Sequence, residues 1–192
     1  TSDFKRQIDS FLKAHGSRAT IRCGYGLTEC TGACCLNPKM EYRDNSIGIP
    51  MPSMDFKIFR IGTMDECEFM EDGEICVSGP TVMRGYLNDI EETRKVILIH
   101  PDGMVWLHTG DIGCMDSDGF VYFKQRLKRV IVSSGYNIYP SYVERIINSH
   151  PAVLTSTVIG IKHPYKVQVA KAFIVLKEGI KPTNDLKNDI YE

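Results

Sequence analysis

The stretch KQRLKRVIVSSGYNIYP, residues 124–140, divides the chain into two parts of different character. It is basic at first, then apolar and β-branched, and then small and polar, whereas the residues before it carry Asp-Gly pairs between apolar segments. Such a change of composition is typical of a junction between two domains. We therefore expect one domain over residues 1–125 and a second over residues 126–192.

Before this junction, residues 45–123 favour β-structure, because three Asp-Gly turn signals separate apolar, β-favouring runs. The pairs are Asp72-Gly73, Asp102-Gly103 and Asp118-Gly119. One helix interrupts them, with Asp89 as its N-cap and Glu92 three residues further on. Closer to the start, apolar residues recur at helical spacing from Phe4 to Leu12. A short strand over residues 19–23 then leads into GYGLTEC, which we interpret as a glycine-bearing loop.

After the junction, the pattern predicts a small α+β unit. Pro140 suits the first turn of a helix that reaches about Ser149. Two β-branched runs, Val153–Ile161 and Val167–Leu176, follow as strands. The final TNDLKNDIYE starts like a capped helix. The whole chain therefore belongs to the α+β or α/β class.

Composition excludes several classes of protein. The 192 residues carry a formal net charge of −1 and are 43% hydrophobic, which indicates a globular chain and disfavours a nucleic-acid partner. No apolar run has the roughly 18 residues of a transmembrane segment. Seven cysteines at irregular spacing, without a Cys-x-x-Cys pair, disfavour zinc and favour a reducing, cytoplasmic location. The chain begins at Thr1 rather than Met, so we expect a piece of a longer protein.

The segment GYGLTE, residues 24–29, has the residue types of a nucleotide site. Glycines on both sides of Tyr25 allow close approach of a ligand to the backbone. The Tyr25 ring can stack on a base, Thr28 can donate to a phosphate oxygen, and Glu29 can bind Mg²⁺. Taken alone, the segment fits a tight turn that carries surface polar residues somewhat better.

Two further segments carry candidate chemistry. In HTGD, residues 108–111, the Asp111 carboxylate offers two acceptor oxygens to a ribose diol, or is simply a strand-end aspartate. His108 is either a general base or, more in keeping with a lone histidine, a structural residue. In the basic run of residues 124–129, Arg126 and Lys128 act at a ligand or hinge, or form a solvated face.

The order and spacing of these segments are more specific than any one of them. YGLTE, HTGD and RLKRVIVSSGYNIYPSYVE together resemble the adenylate-forming superfamily of acyl-CoA synthetases, coumarate-CoA ligases, luciferases and peptide-synthetase adenylation domains. SIGIPMPSMDFKI, GEICVSGPTVMRGYLND and AKAFIVLKEG agree with this resemblance. It implies the C-terminal part of a large adenylation domain, a strand plus a β-rich subdomain, followed by a small, incomplete α+β C-terminal domain.

In that superfamily, ATP and a small-molecule carboxylic acid form an acyl-adenylate, and a thiol, commonly coenzyme A, then displaces AMP. The resemblance implies that Glu29 binds Mg²⁺ and acts in catalysis together with Thr28. Lys128 takes the hinge position, and Gly135 lies near coenzyme A. The nucleotide-binding residues that the resemblance implies are Gly24, Tyr25, Gly26, Thr28, Asp111 and Arg126.

The sequence departs from the superfamily pattern in two missing motifs and two unusual residues. The Gly/Ser/Thr-rich phosphate loop and the C-terminal catalytic lysine are not in the sequence, so we expect the chain alone to be inactive. Gln125 and Val167 stand where other residues, glycine among them, are usual. A peptide-synthetase adenylation domain and a noncatalytic nucleotide-binding homologue remain alternatives. The acid that is activated and the oligomeric state are left open.

Overall fold

The computed structural model describes the backbone of residues 2–191 and the side chains of residues 4–191. The chain divides into two compact units between Lys124 and Gln125. The helices are α1 (Ser2–Ala14), α2 (Ile90–Val96), α3 (Pro140–Ser149) and α4 (Asn184–Tyr191). The strands of the first unit are β1 (Gly24–Leu27), β2 (Gly32–Leu36), β3 (Ile49–Pro50), β4 (Asp55–Phe59), β5 (Gly73–Ser78), β6 (Ile97–Ile99), β7 (Val105–Met115) and β8 (Val121–Arg126), the last of which extends two residues past the division.

The first unit contains two antiparallel sheets. One has the order β1-β2-β3, and the other has the order β4-β5-β7-β6 with β8 also paired to β7. Strand β7 is 11 residues long, so that β6 pairs with its beginning while β8 pairs elsewhere along it. The prediction of an α+β or α/β chain is confirmed, and the antiparallel pairing, combined with the helices, identifies the class as α+β.

The main core of the first unit lies on one face of the larger sheet. Ile75, Val77 and Leu107 from that face pack with Cys34 and Cys35 from the smaller sheet. The alternation of side chains along β5 and β7 sends their neighbours to the opposite face. There Cys76 and Trp106 form a separate small apolar cluster with Phe59. Strand β5 is therefore buried on both faces, which explains why all six of its residues are buried.

The predicted helix near the start is confirmed as α1, and Gly16 follows it with a φ of 77°. The strand predicted over residues 19–23 was wrong. The backbone N–H of Ile21 donates to the Asp9 carboxylate of α1 at 2.8 Å instead of to a neighbouring strand. The segment interpreted as a loop begins as β1 and continues as a 3-10 helix, Thr28–Cys30. The strand thus starts five residues later than predicted, at Gly24.

Two of the three Asp-Gly turns are confirmed. Gly103 (φ 79°) lies in the connection between β6 and β7, and Gly119 (φ 84°) lies between β7 and β8. Gly73, however, is the first residue of β5, and the turn before it has Met70 at a φ of 64°. The Asp89 cap is also confirmed, because its carboxylate accepts from the Glu92 N–H at 3.0 Å.

The second unit is a four-stranded antiparallel sheet with helices. Its strands follow the order β10-β9-β12-β11, where β9 is Ile131–Ser133, β10 is Tyr136–Ile138, β11 is Val153–His163 and β12 is Val167–Leu176. Pro140 begins α3 as predicted, and both β-branched strands are confirmed. Ile131, Ile147 and Val158 belong to its buried core, against which Ile190 of α4 packs.

Two tight turns of the second unit lie side by side. The turn between β9 and β10 has Ser134 and Gly135 at φ values of 51° and 83°, which fits the hairpin turn that needs two left-handed residues. The Ser134 N–H donates to the Lys166 carbonyl at 3.0 Å. The next residue, Val167, has a φ of 66°, a backbone conformation that is unfavourable for a β-branched side chain.

Seven free cysteines all lie in the first unit. Five are buried, and Cys23 and Cys67 are half-buried. Burial raises the pKa of Cys35 to about 12, so its thiol stays protonated at neutral pH. Among the described residues, no helix combines the length and the apolar composition needed to cross a membrane.

Candidate nucleotide site

Strand β1 leads to an open cleft of about 810 Å³ in the first unit. Gly26 has to be glycine, because an added Cβ would lie 2.1 Å from the Gly32 carbonyl oxygen of β2. The glycines thus let the two strands approach closely while the loop side stays accessible to a ligand. The cleft is lined by Gly24, Tyr25, Gly26, Leu27, Thr28, Thr31, Gly32 and Ala33.

Tyr25 and Asp111 meet, although 86 positions separate them. The Tyr25 hydroxyl donates to Asp111 Oδ2 at 2.7 Å. The ring of Tyr25 packs edge-on against Phe56, at a centroid distance of 6.4 Å, and stacks on Phe123 at 6.5 Å. Burial and then the bond to Asp111 raise the pKa of Tyr25 far above its usual value, so the hydroxyl remains a donor. Asp111 is only 5% exposed, and its carboxylate is held in a fixed orientation.

Thr28 and Glu29 follow β1 directly in the 3-10 helix. Thr28 is exposed at the cleft. One Glu29 oxygen, Oε1, accepts from the Tyr86 hydroxyl at 2.8 Å, and the Glu29 carbonyl accepts from the Met83 N–H at 2.8 Å. The hydrogen bond to Glu29 raises the pKa of Tyr86, which keeps that hydroxyl protonated as well. The segment before α2 therefore orients the Glu29 carboxylate from outside the GYGLTE motif.

Asp111 lies in a bulge of β7. Pairing with β5 places Cys76 opposite His108 and Glu74 opposite Ile112, so three residues of β7 stand against Ile75 alone. Gly110, in the middle of the three, has a φ of 69°. Such a bulge changes the direction of the side chains that it contains. Gly110 of HTGD therefore allows the bend that sets the direction of the Asp111 side chain.

His108 is half-buried and bonded on both ring nitrogens. Nδ1 lies 2.8 Å from Glu74 Oε2, and Nε2 lies 2.9 Å from His100 Nε2. Burial and the neighbouring His108 lower the pKa of His100 below its usual value, which favours a neutral ring. Glu74, Cys76 and His108 could together offer three metal ligands. Burial raises the pKa of Cys76 well above its usual value, and Glu74 is already bonded through both oxygens, so the set suits a hydrogen-bond network better than a metal.

The remaining predicted residues belong to the second unit. Arg126 is exposed at the end of β8, and Lys128 is exposed in a 3-10 helix, Leu127–Arg129. Gly135 lies at the exposed turn between β9 and β10. Gln125 is 2% exposed, and its Oε1 accepts from the Ser141 hydroxyl at 3.3 Å.

Sequence reasoning missed three residues of the first unit. Tyr86 and Glu74 both lie in the quoted segment GEICVSGPTVMRGYLND, and His100 lies eight positions before His108. A signal for Glu74 existed: it is the one charged residue of the apolar run GEICVS. A carboxylate in a strand buried on both faces needs partners, and that requirement points to a polar network.

The sequence matches the models of two protein domains that occur together in one family. Residues 3–87 match the AMP-binding enzyme family, and residues 142–192 match the AMP-binding enzyme C-terminal domain. The chain belongs to the AMP-binding enzyme family. The predicted resemblance is thereby confirmed.

Sequence similarity to a characterised ligase supports membership of the AMP-binding enzyme family. The chain is 43% identical over 159 residues to a long-chain-fatty-acid–CoA ligase of Bacillus subtilis, a match that covers 82% of the chain and 28% of the relative. The chain thus spans less than a third of that relative's length.

Solved structures agree with the fold. A crystal structure of an ATP-bound RpMatB-BxBclM chimera matches with a TM-score of 0.82 and 30% identity, over 91% of the chain and 34% of that protein. O-succinylbenzoate coenzyme A synthetase from Bacillus subtilis, in complex with ATP and magnesium ion, matches with a TM-score of 0.70 and 35% identity, over 87% of the chain and 34% of that protein.

Proposed function

We propose that the protein containing this chain is an AMP-forming acid–thiol ligase. A carboxylate oxygen attacks the α-phosphorus of ATP, pyrophosphate leaves, and an acyl-adenylate forms. The sulfur of coenzyme A then attacks the acyl carbonyl carbon, the thiol loses its proton, and AMP leaves with the carboxylate-derived oxygen. Family membership and the name of the Bacillus subtilis relative support this reaction.

The bond between Tyr25 and Asp111 is the observation that carries the proposal for the site. A carboxylate at 5% exposure, held at one oxygen by a phenol that remains protonated, is a fixed acceptor for sugar hydroxyls. We propose that Asp111 binds the ribose and that the Tyr25 ring lies against the adenine. Gly24 and Gly26 leave room for the nucleotide beside β1.

Thr28 and Glu29 come next along the same cleft. We propose that the Thr28 hydroxyl donates to the α-phosphate, where negative charge builds up as the acid attacks. Glu29 fits a magnesium site, because Mg²⁺ is commonly held by one or two carboxylates together with substrate phosphates. When bound, the ion would supply positive charge at those phosphates. Tyr86 orients the Glu29 carboxylate for this role through its 2.8 Å bond.

For the second unit, the proposals rest on the resemblance. Arg126 assists at the nucleotide, Lys128 acts as the hinge, and Gly135 lies close to coenzyme A during thioester formation. A hinge of a few residues lets one small domain serve two half-reactions in turn. A cytoplasmic location also remains a prediction.

The thiol acceptor has an alternative. In a peptide-synthetase-type protein, a carrier domain with a phosphopantetheine serine would receive the acyl group instead of free coenzyme A. Release of AMP that depends on free coenzyme A supports the ligase, whereas acyl transfer only to a carrier domain supports the alternative. A panel of fatty and aromatic acids in the same assay would identify the acid.

The proposal is tested by pyrophosphate exchange. The whole protein should exchange labelled pyrophosphate into ATP only when an acid is present, and the chain alone should not, because it has no Gly/Ser/Thr-rich phosphate loop. Asp111→Ala should raise the KM for ATP about tenfold or more, since losing hydrogen bonds to a charged group costs about 1.5–3 kcal/mol. Acid-independent turnover, or an unchanged KM for ATP in Asp111→Ala, would overturn the assignment.

A further inference from the structure

The bulge that contains Asp111 is held by hydrogen bonds from the opposite face of the sheet. Glu74 Oε1 accepts from the Gly110 N–H at 2.9 Å, and Oε2 accepts from the His108 ring at 2.8 Å. Gly110 is the bulged residue with a φ of 69°, and His108 is the last residue before the bulge that pairs in register. A single carboxylate thus bonds the start and the middle of the distortion.

A second brace acts from within the bulge. The Thr109 hydroxyl donates to the Ile75 carbonyl at 2.7 Å and accepts from the Asp111 N–H at 3.1 Å. Together with the bond from Gly110 to Glu74, these contacts fix the backbone on both sides of Gly110. The direction of the Asp111 side chain therefore depends on contacts that this side chain itself does not make.

Glu74 is buried, so its carboxylate depends on the hydrogen bonds to the bulge. Glu74 is 8% exposed and lies in β5 two residues before Cys76, on the sheet face that carries the cluster of Cys76, Trp106 and Phe59. A carboxylate at such a site is costly unless its oxygens are bonded. His100, which is 4% exposed, completes the network through its 2.9 Å contact with His108. With Nδ1–H of His108 donating to Glu74, its Nε2 accepts from Nε2–H of His100.

We propose that Glu74 is a positioning residue for the nucleotide: its carboxylate fixes the Gly110 bulge and thereby aims Asp111 at the ribose from beside Tyr25. This inference rests on the proposed function, in which Asp111 binds the ribose hydroxyls. Glu74 touches neither the nucleotide nor the acid. Its removal should weaken ATP binding in the ground state and the transition state alike, which raises the KM for ATP and leaves kcat close to its original value.

In the whole protein, the preference for ATP over 2′-deoxy-ATP measures how well Asp111 binds the ribose hydroxyls. Glu74→Met keeps the side-chain length but removes both acceptors, and it should lower the preference for ATP over 2′-deoxy-ATP about tenfold, in line with a lost hydrogen bond to a charged group. Glu74→Gln keeps one acceptor for the Gly110 N–H and should preserve most of the preference. Because Glu74→Met can fail to fold, Thr109→Val provides a second measurement and should lower the preference as well.

Cys76→Ala is the matched control. It removes the fully buried sulfur of the residue paired with His108, on the same strand and face as Glu74, but none of the hydrogen bonds that hold the bulge, so it should lower the melting temperature and leave the nucleotide preference intact. The proposal is overturned if folded Glu74→Met and Thr109→Val retain the original preference, or if Cys76→Ala loses it to the same extent. If Asp111→Ala also has no effect, the proposed function fails; if Asp111→Ala has its effect and Glu74→Met does not, only the role of Glu74 fails.

Discussion

Gly110 and Val167 have almost the same φ and very different side chains. Their φ values are 69° and 66°. Gly110 lies in the bulge of β7, where Glu74 accepts from its N–H, and Val167 begins β12 in the second unit, opposite Ser133. For glycine, this region costs little, whereas for a β-branched residue it is strained.

The difference shows two ways to hold an unusual backbone conformation. At Gly110, the side chain is absent and hydrogen bonds select one conformation from several that glycine can adopt. At Val167, the surrounding turn imposes the conformation against the preference of the side chain, and the cost is stored locally. The same φ is therefore compatible with its residue at one site and in conflict with it at the other.

Exchanging the two residue types tests this contrast, and Gly110→Val should have the larger effect. No heavy atom lies within 4 Å of a Cβ added at Gly110, so the cost is conformational, roughly 2 kcal/mol of unfolding free energy. The bulge would also shift, and the KM for ATP should rise with it. Urea unfolding followed by the fluorescence of Trp106, the single tryptophan, reports on the first unit.

Gly103→Val provides the comparison for that variant. Gly103 has a φ of 79°, lies between β6 and β7, and also has no atom within 4 Å of an added Cβ. Gly103→Val should lose a similar stability and keep its KM for ATP, because Gly103 is not part of the bulge that contains Asp111. An equal rise in KM in both variants would show that any loss of stability weakens ATP use.

Val167→Gly should have a smaller effect of opposite sign. Relief of strain gains about 1–3 kcal/mol, and the added freedom of glycine in the unfolded chain costs about 0.5–1 kcal/mol, which leaves a net gain of about 1 kcal/mol. Little burial is lost, because Val167 is 64% exposed. Slower amide hydrogen exchange in β11 and β12 would measure the gain.

Val175→Gly is its control in the same strand. Val175 is 53% exposed and does not have a positive φ, so glycine there should destabilise the unit by about 0.5–1 kcal/mol. If Val167→Gly destabilises the second unit as Val175→Gly does, Val167 is not strained and the contrast with Gly110 is wrong.

The sequence predicted those features that depend on local chemistry. The Asp89 cap, Pro140 at the start of α3 and the turns at Gly103 and Gly119 were all readable, because each depends on neighbouring residues. The strand over residues 19–23 was wrong because its apolar and β-branched residues fit a strand, while the actual partner of Ile21 is the side chain of Asp9.

In the candidate site, too, the sequence predicts single residues but not the contacts between distant parts of the chain. GYGLTE and HTGD contain residues whose types suggest a nucleotide, so Tyr25 and Asp111 could be selected from the sequence. Their mutual bond joins residues 86 positions apart and depends on how two sheets share a core. The role of Glu74 depends on the register between β5 and β7, and strand register is not encoded in a short motif.

The positions of the cysteine thiols allow the opening of the first unit to be followed by alkylation. All seven thiols lie there, five of them buried and the other two, Cys23 and Cys67, half-buried. An alkylating reagent should modify Cys23 and Cys67 first and reach the other five only when that unit opens. The number of alkylated sulfurs, read by mass spectrometry over time, would therefore report the opening rate of the first unit without any engineered label.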